Sequence, residues 1–554
     1  MSNSHTLAFL LFLQTASSAT TSAPTFAGGS RTGTPFTRPT DFNGIPISST
    51  PSGAGEPVFP SFLSYSLELA FFPDFAGDLA SPNTFSGTLL SNLGALQGAN
   101  PDIRVGGNTQ DYALYDASLK TATNATYIPS ISNDYPRVLT LGPKFFESYQ
   151  ALPDTSFIHG FNLAKNGSDA NAAASAEAAI ACKYLSLNGS FKAWEMGNEP
   201  DLFKTSAQGI MRPGSWNEAD FVKEWDARVD LVKKSLEKNC GKEWTENANW
   251  KWIAPSFAGT GNSLDALKTW KAGLNKREEV VAFSSHNYIG GATQPGVNLK
   301  GFLLSHSKTV GSVGNHVREQ ASLKAANSSL PYILGETNSL YNQGAAGLSN
   351  SFGAALWNLD FALQCAATSI RQIYMHMGTD YRYASWQPVT TSKSRIGTRA
   401  PYYGNIATVA ALGDVTTDGG VRVKEVKLKS GKDSEAAYAI YTSSKLSRVV
   451  VINMAQYNYT SPSQTLSNRP KDSYNFTLPT GCAGQGVVQR LMANGSDATS
   501  GITFNGESYA YELEKGRPVR LGNTTRDEVV YVGSDGGMGV EVPWSSAAVV
   551  VVDC

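Results

Sequence analysis

The sequence predicts a (β/α)8 barrel followed by an antiparallel β-sandwich. Three observations carry this reading. Between residues 56 and 404, eight apolar, strand-like runs alternate with helical patterns. After about residue 405 the long helical periods stop, and short β-branched or alternating runs are separated by Gly, Asn, Ser and Pro clusters. Two of the eight runs also end abruptly in a glutamate, where a parallel barrel exposes its strand ends. A length of 554 residues suits one large domain plus a smaller one.

The elements follow in chain order. Residues 1–19 read as a signal peptide. Leu7–Leu13 forms a short apolar core and small residues from Ala16 to Ala19 offer a cleavage site, although only His5 and the amino group supply positive charge. Residues 20–55 are rich in Ser, Thr, Gly and Pro and read as an extended arm. The barrel strands are expected at Phe62–Ala70, Asp102–Val105, Ser156–Leu163, Phe191–Met196, Trp250–Ser256, Val280–Ser285, Pro331–Gly335 and Ile370–His376. Asn171–Leu187 and Glu218–Lys238 are among the intervening helices. Residues 405–554 form the sandwich, with strands near Val421–Leu428, Ala436–Tyr441, Arg448–Met454, Gly486–Leu491 and Ala547–Val552.

Bulk properties narrow the function. With 45 basic and 46 acidic side chains, the chain has no electrostatic footprint for nucleic acid or an anionic membrane. Past the N-terminus no stretch approaches the length of a membrane span. The five cysteines lack the spacing of a metal site; Cys482 with Cys554 could tie down the last strand, and Cys365 reads as the unpaired thiol. Eight Asn-X-Ser/Thr sequons (Asn124, Asn166, Asn188, Asn327, Asn458, Asn475, Asn494 and Asn523) fit a secreted, N-glycosylated product.

The chemistry concentrates at the strand ends. The fourth predicted strand runs through Trp194 and Glu195 to Gly197-Asn198-Glu199-Pro200, and the seventh ends Leu334-Gly335-Glu336. Ends of strands four and seven face each other across a barrel mouth, so both carboxyls can flank one bond. Other strand ends are polar or aromatic: RVGGNTQD at 104–111, SSHNYIG at 284–290 and MGTDYRYASWQP at 377–388. Strand alternation puts Trp194 and Glu195 on opposite faces; with Trp194 walling the pocket, Glu195 faces away. His286 and His376 read as structural, and Glu224 and Glu237 as solvated helix residues.

Together with WEMGNEPDLF at 194–203 and ILGETNSLY at 333–341, these segments resemble glycoside hydrolase family 79, the β-glucuronidase and heparanase family of clan A. The resemblance covers roughly residues 55–554 and implies the same barrel and sandwich, with the N-terminal arm adding a strand to the sandwich. It implies Glu199 as general acid/base and Glu336 as nucleophile of a retaining exo-β-glucuronidase that needs no metal or cofactor. The substrate would be a glycan or glucuronide ending in β-linked glucuronate, with or without a 4-O-methyl group. The resemblance further implies that Asn198 bonds the sugar 2-hydroxyl, that Asp111 accepts from distal hydroxyls, and that Tyr288 orients the nucleophile. Tyr341, with Tyr381 or Tyr383, would read the sugar carboxylate, helped by backbone N–H groups of Asn342 and Gln343. An endo-acting, heparanase-like enzyme is the alternative within the fold; the near-neutral charge and the lack of Lys/Arg clusters speak against it. A non-catalytic carbohydrate-binding protein would be marked by the loss of one carboxyl, and both are present.

Overall fold

The computed structural model describes residues 42–554, apart from 206–208, 247, 462–467, 483 and 523. The expected signal peptide and most of the arm lie outside the described residues. Eight parallel strands close into a barrel. They are β1 (Leu63–Glu68), β2 (Ile103–Gly106), β3 (Phe157–Phe161), β4 (Phe191–Met196), β5 (Trp252–Phe257), β6 (Val280–Gly291), β7 (Tyr332–Tyr341) and β8 (Ile373–Met377). Each falls on one of the expected runs. Their apolar, β-branched and aromatic content suits strands buried on both faces.

The surrounding helices include α1 (Thr84–Gln97), α2 (Pro143–Ala151), α3 (Ser168–Tyr184), α4 (Glu218–Asn239), α5 (Ala266–Lys271), α6 (His306–Ala325), α7 (Phe352–Ala367) and α8 (Ala400–Leu412). Helix α4 starts with a reciprocal capping box between Asn217 and Asp220. A disulfide between Cys182 and Cys240 ties the end of α3 to the end of α4. Among the described residues, no helix is long and apolar enough to cross a membrane.

One element lies outside the alternating pattern. Between β2 and β3 the chain makes a small sheet from Ala113–Tyr115, Thr123–Thr126 and Val138–Leu141. Its strands are short, and Thr123–Thr126 is mostly exposed, so it has no hydrophobic period to reveal it.

The C-terminal region contains β9 (Val421–Glu425), β10 (Glu435–Thr442), β11 (Lys445–Asn453), β12 (Lys471–Thr477), β13 (Gln485–Met492), β14 (Gly537–Pro543) and β15 (Ser546–Val551). Strands β9, β10, β11, β15 and β13 lie side by side in a large antiparallel sheet; β12 and β14 pair in a second. Ile45–Pro46 of the arm adds a two-residue parallel strand beside Phe476–Thr477. The Cys482–Cys554 disulfide joins the chain end to this region, while Cys365 is a buried free thiol in α7.

Strand alternation glues the two regions together. On β10, Ala437, Ala439 and Tyr441 face the core shared with the second sheet, whereas Ala436, Tyr438 and Ile440 join the barrel's core. The barrel side of that contact is α7, nearly all buried, backed by α8. Both regions therefore belong to one compact unit.

Helices α7 and α8 touch backbone to backbone at Gly404, where an added Cβ would stand 2.3 Å from the Ala355 carbonyl oxygen. Gly404→Ala should therefore lose about 1–3 kcal/mol through overpacking. Urea unfolding would read this as a lowered midpoint; an unchanged midpoint would contradict the close helix contact.

Candidate active site

Local backbone devices aim the two glutamates. Glu199 lies three residues past β4 in the left-handed conformation (φ 51°, ψ 49°). Pro200 disfavours the right-handed helical alternative, and the Glu199 N–H donates to the Ser256 carbonyl at 2.9 Å. Asp111 holds the preceding residue: its carboxylate accepts from the backbone N–H of Asn198 at 2.8 Å, and from those of Leu163 and Ala164. On the other side, the β6–β7 register shifts between Ser285 and His286, so that His286 comes level with Glu336. A bulge of this kind re-aims side chains beside a site.

The resulting cluster is compact. One ligand-type atom from each of Glu199, His286 and Glu336 lies within 4.8 Å of the others. Glu336 accepts from Tyr288 Oη at 2.7 Å through Oε1 and from Arg104 at 2.7 Å through Oε2. Arg104, fully buried, also donates to Glu195 at 2.8 Å, to Asn198 Oδ1 at 2.8 Å and to Ser66. His286 Nδ1 lies 3.0 Å from Glu199 Oε1. His376 Nδ1 lies 3.6 Å from Glu336, and its Nε2 lies 3.5 Å from Glu68.

These contacts drive the two carboxyls apart in acidity. Burial, followed by the negative charge of Glu336, pushes Glu199 up to about 8. Burial acts on Glu336 in the same direction, but His376, His286, Arg104 and the Tyr288 hydrogen bond outweigh it and hold Glu336 down to about 2. Burial also lowers His286 to about 4, so near neutral pH it is uncharged. The arrangement thus offers a protonated carboxyl and an ionised one facing a shared space, the equipment for acid-assisted displacement at carbon. Glu199, His286 and Glu336 are also the one grouping of metal-ligand type among the described residues. Arg104, bonded directly to Glu336, already supplies the positive charge that a cation would bring.

A cavity of ≈ 890 Å³ opens over this pair, and Glu199, Glu336, Tyr288, Tyr341 and Tyr383 all line it. Asn342 and Gln343 line it too and are both left-handed (φ 62° and 61°). The mouth is braced by Arg382. Its guanidinium grips the Asp134 carboxylate through two 3.0 Å bonds and reaches the Asn342 and Gly344 carbonyls. This one side chain ties the loops after β7 and β8 to the β2–β3 insertion.

Several expected roles change. Trp194 does not wall the pocket: its ring is fully buried on the outside of β4, packed against Phe191 at 4.6 Å and Trp244 at 5.9 Å. Glu195 takes the inward face instead, between Arg104 and Ser256. The alternation is as expected, with its phase reversed. Tyr381 is fully buried and gives its hydroxyl to Glu68 at 3.0 Å, so of the two tyrosines after β8, Tyr383 is the one at the cavity. Asp111 borders only a side recess of ≈ 30 Å³, with its carboxylate engaged by backbone. His286 and His376 line the cavity beside the glutamates rather than serving the core alone. Arg104 and Glu68 went unassigned in the sequence because their partners lie on other strands. A basic residue opening a strand-end motif was the available signal for Arg104.

Known proteins share this architecture. The model of the glycosyl hydrolase family 79 C-terminal beta domain matches residues 437–549. A beta-glucuronidase of Aspergillus niger is 54% identical over 509 residues, covering 90% of this chain and 92% of that protein. A beta-glucuronidase of Neurospora crassa is 48% identical over 546 residues, covering 92% and 97%. The crystal structure of a 4-O-alpha-L-rhamnosyl-beta-D-glucuronidase from Fusarium oxysporum, complexed with Rha-GlcA, superimposes with a TM-score of 0.73. Its identity is 26%, over 92% of this chain and 100% of that one. By these matches along nearly its whole length, the chain belongs to glycoside hydrolase family 79.

Proposed function

We propose that this glycoside hydrolase is a retaining, exo-acting β-glucuronidase that releases terminal β-linked glucuronate by double displacement. The observation that carries the reading is the pairing of Glu199 and Glu336, whose carboxylate oxygens approach within 4.8 Å in surroundings that push Glu199 up and hold Glu336 down. That separation suits the retaining geometry, in which the carboxyls stand about 5–5.5 Å apart, with no room for a water between them and the sugar. Ionised Glu336 attacks the anomeric carbon and forms a glycosyl ester. The bond to the leaving oxygen breaks as Glu199 gives that oxygen its proton. Glu199, now ionised, takes a proton from water; the resulting hydroxide attacks the same carbon and frees Glu336.

Asn198, whose Oδ1 accepts from Arg104, borders the same side recess as Asp111, next to Glu199, and is the proposed partner of the sugar 2-hydroxyl. Tyr341 and Tyr383, with the backbone at Asn342 and Gln343, are the proposed readers of the sugar carboxylate. The names of the fungal relatives, and the Rha-GlcA held by the Fusarium protein, support a glucuronate-containing substrate. The Arg382 brace supports exo action, because loops joined across the mouth suit a chain end better than a continuous polymer. A 4-O-methyl group on the released sugar is compatible with this reading.

Glu336→Ala and Glu199→Ala should each lower 4-nitrophenyl β-glucuronide hydrolysis by about 10²–10⁴-fold. Undiminished activity in either variant would sink the assignment of roles. The wild type should prefer the β-glucuronide to the matched β-glucoside; the reverse preference would refute the tyrosine reading of the carboxylate.

The same proposal places the protein outside the cell, carrying N-linked glycans. Asn124, Asn166, Asn188, Asn327 and Asn494 are exposed, Asn458 and Asn475 are half-buried, and Asn523 lies outside the described residues. The two disulfides favour an oxidising compartment. Protein recovered from a fungal host's medium should lose mass on endoglycosidase treatment. An unshifted protein retained inside the cells would contradict export.

A further inference from the structure

The loop after β7 has a backbone that its residue types do not favour. Asn342, Gln343 and Gly344 follow one another with positive φ, at 62°, 61° and 77°. The Gly344 N–H closes the segment by donating to the Leu340 carbonyl at 3.0 Å. This is one turn of left-handed helix. Glycine adopts it freely, but in other residues the Cβ crowds the following carbonyl oxygen. Asn tolerates the conformation through its short polar side chain; Gln lacks that allowance. Such a turn persists only when its surroundings hold it.

Arg382 supplies the hold. Its backbone N–H donates to the Gln343 carbonyl at 2.8 Å. Its guanidinium donates to the Asn342 carbonyl at 3.1 Å and to the Gly344 carbonyl at 2.9 Å. Every carbonyl of the turn thus ends on one residue. The guanidinium is fixed in its turn by the two bonds to Asp134. Lys393 secures Asp134, with Nζ 3.7 Å from that carboxylate and donating to the Asn133 carbonyl at 2.8 Å. A guanidinium spreads its donors in a rigid plane, so it meets two carbonyls and a carboxylate together. A lysine ammonium has no such fork.

Fixing the carbonyls also fixes the opposite side of the turn. In a helical turn the carbonyls point one way and the N–H groups the other. The N–H groups of Asn342 and Gln343 are therefore turned away from Arg382, and neither donates to an acceptor among the described residues. Both residues line the cavity with Tyr341 and Tyr383, whereas Arg382 and Asp134 do not. The bond from Arg382 to the Asn342 carbonyl also polarises the peptide whose N–H belongs to Gln343, which makes that N–H a stronger donor. We propose that Arg382, anchored by Asp134 of the β2–β3 insertion, is a positioning residue for acid recognition. It keeps the 342–344 turn left-handed, so that two backbone N–H groups meet the sugar carboxylate. This rests on the reading of that carboxylate given above and adds the residue that enforces it. The β2–β3 insertion thereby contributes to the choice of a uronic acid over the neutral sugar.

The test uses two iminosugars of gluco configuration, one with a carboxylate at the 5-position and one with a hydroxymethyl group, titrated calorimetrically into the protein and its variants. The wild type should bind the acid about tenfold tighter or more, the worth of one charged hydrogen bond. Arg382→Met should reduce that ratio by about tenfold, through the acid alone, and Arg382→Lys should not restore it. Asp134→Asn should lower the ratio in the same direction by a smaller factor. Adding Asn342→Gly and Gln343→Gly to the Arg382→Met protein should recover part of the ratio, because glycine takes up the left-handed turn unaided. A parallel loss for both ligands, a full ratio in Arg382→Lys, or no recovery with the glycines would overturn the positioning role. Should Arg382→Met not fold, Asp134→Asn decides alone, and an unchanged ratio there overturns the role. Equal binding of the two iminosugars by the wild type would instead overturn the carboxylate reading itself.

Discussion

The buried guanidinium of Arg104 is the constraint on which the active site depends. A charge taken out of water must be paired, and Arg104 is paired twice over, with Glu195 below and Glu336 beside it. Glu199 and Glu68 add further carboxyls to the same region, and burial keeps His286 from charging near neutral pH. Acidic groups therefore outnumber permanent positive charges. Of the two glutamates at the cavity, Glu336 is bonded directly to Arg104 and Glu199 is not, and Glu199 is the one that keeps its proton. This polarity costs stability. Between the ordinary carboxyl value of 4.5 and the raised value of about 8, the folded state holds a proton that the unfolded state has lost. Glu199 thus makes the fold progressively less stable as pH rises through that window. Glu336 works oppositely: its stabilising contribution is complete above 4.5 and disappears as pH falls toward about 2.

The fold supplies the positions that make this charge arrangement useful. Arg104 reaches Glu336 because β2 and β7 both turn these side chains into the barrel mouth. The register shift beside His286 and the left-handed backbone at Glu199 are local departures from regular geometry. Each is held by neighbours: the first by strand pairing, the second by Pro200, Ser256 and the Asp111 clamp on Asn198. Asp111 and Glu195 thus hold the surroundings of the two glutamates in place without lining the main cavity. The sandwich contributes at a distance, by burying α7, which follows the catalytic strand β7.

Much of this was legible in the sequence, for identifiable reasons. Strand ends in a barrel are marked by a hydrophobic run that stops at polar residues, which is why Glu199 and Glu336 stood out. Alternation also revealed that Trp194 and Glu195 face opposite ways, but not which way. A barrel strand is buried on both faces, so hydrophobicity does not set the phase, and a fully paired glutamate can occupy the interior. Tyr381 and Tyr383 were likewise inseparable by spacing; Glu68, more than 300 residues earlier, claims the first. Arg104, His286 and His376 owe their importance to partners on other strands. Those partners are set by barrel closure, and nothing local in the sequence encodes them.

The central claim is that hydrogen bonds and charge hold Glu336 ionised while Glu199 stays protonated. The pH dependence of kcat/KM for a β-glucuronide, in wild type and in Tyr288→Phe, tests it most directly. The wild type should give a bell whose alkaline limb reports Glu199 near 8 and whose acid limb reports Glu336. Removing the Tyr288 hydroxyl takes away one hydrogen bond to the carboxylate, so the acid limb should rise by about one pH unit while the alkaline limb stays. An acid limb that stays in place or moves to lower pH would contradict the claim.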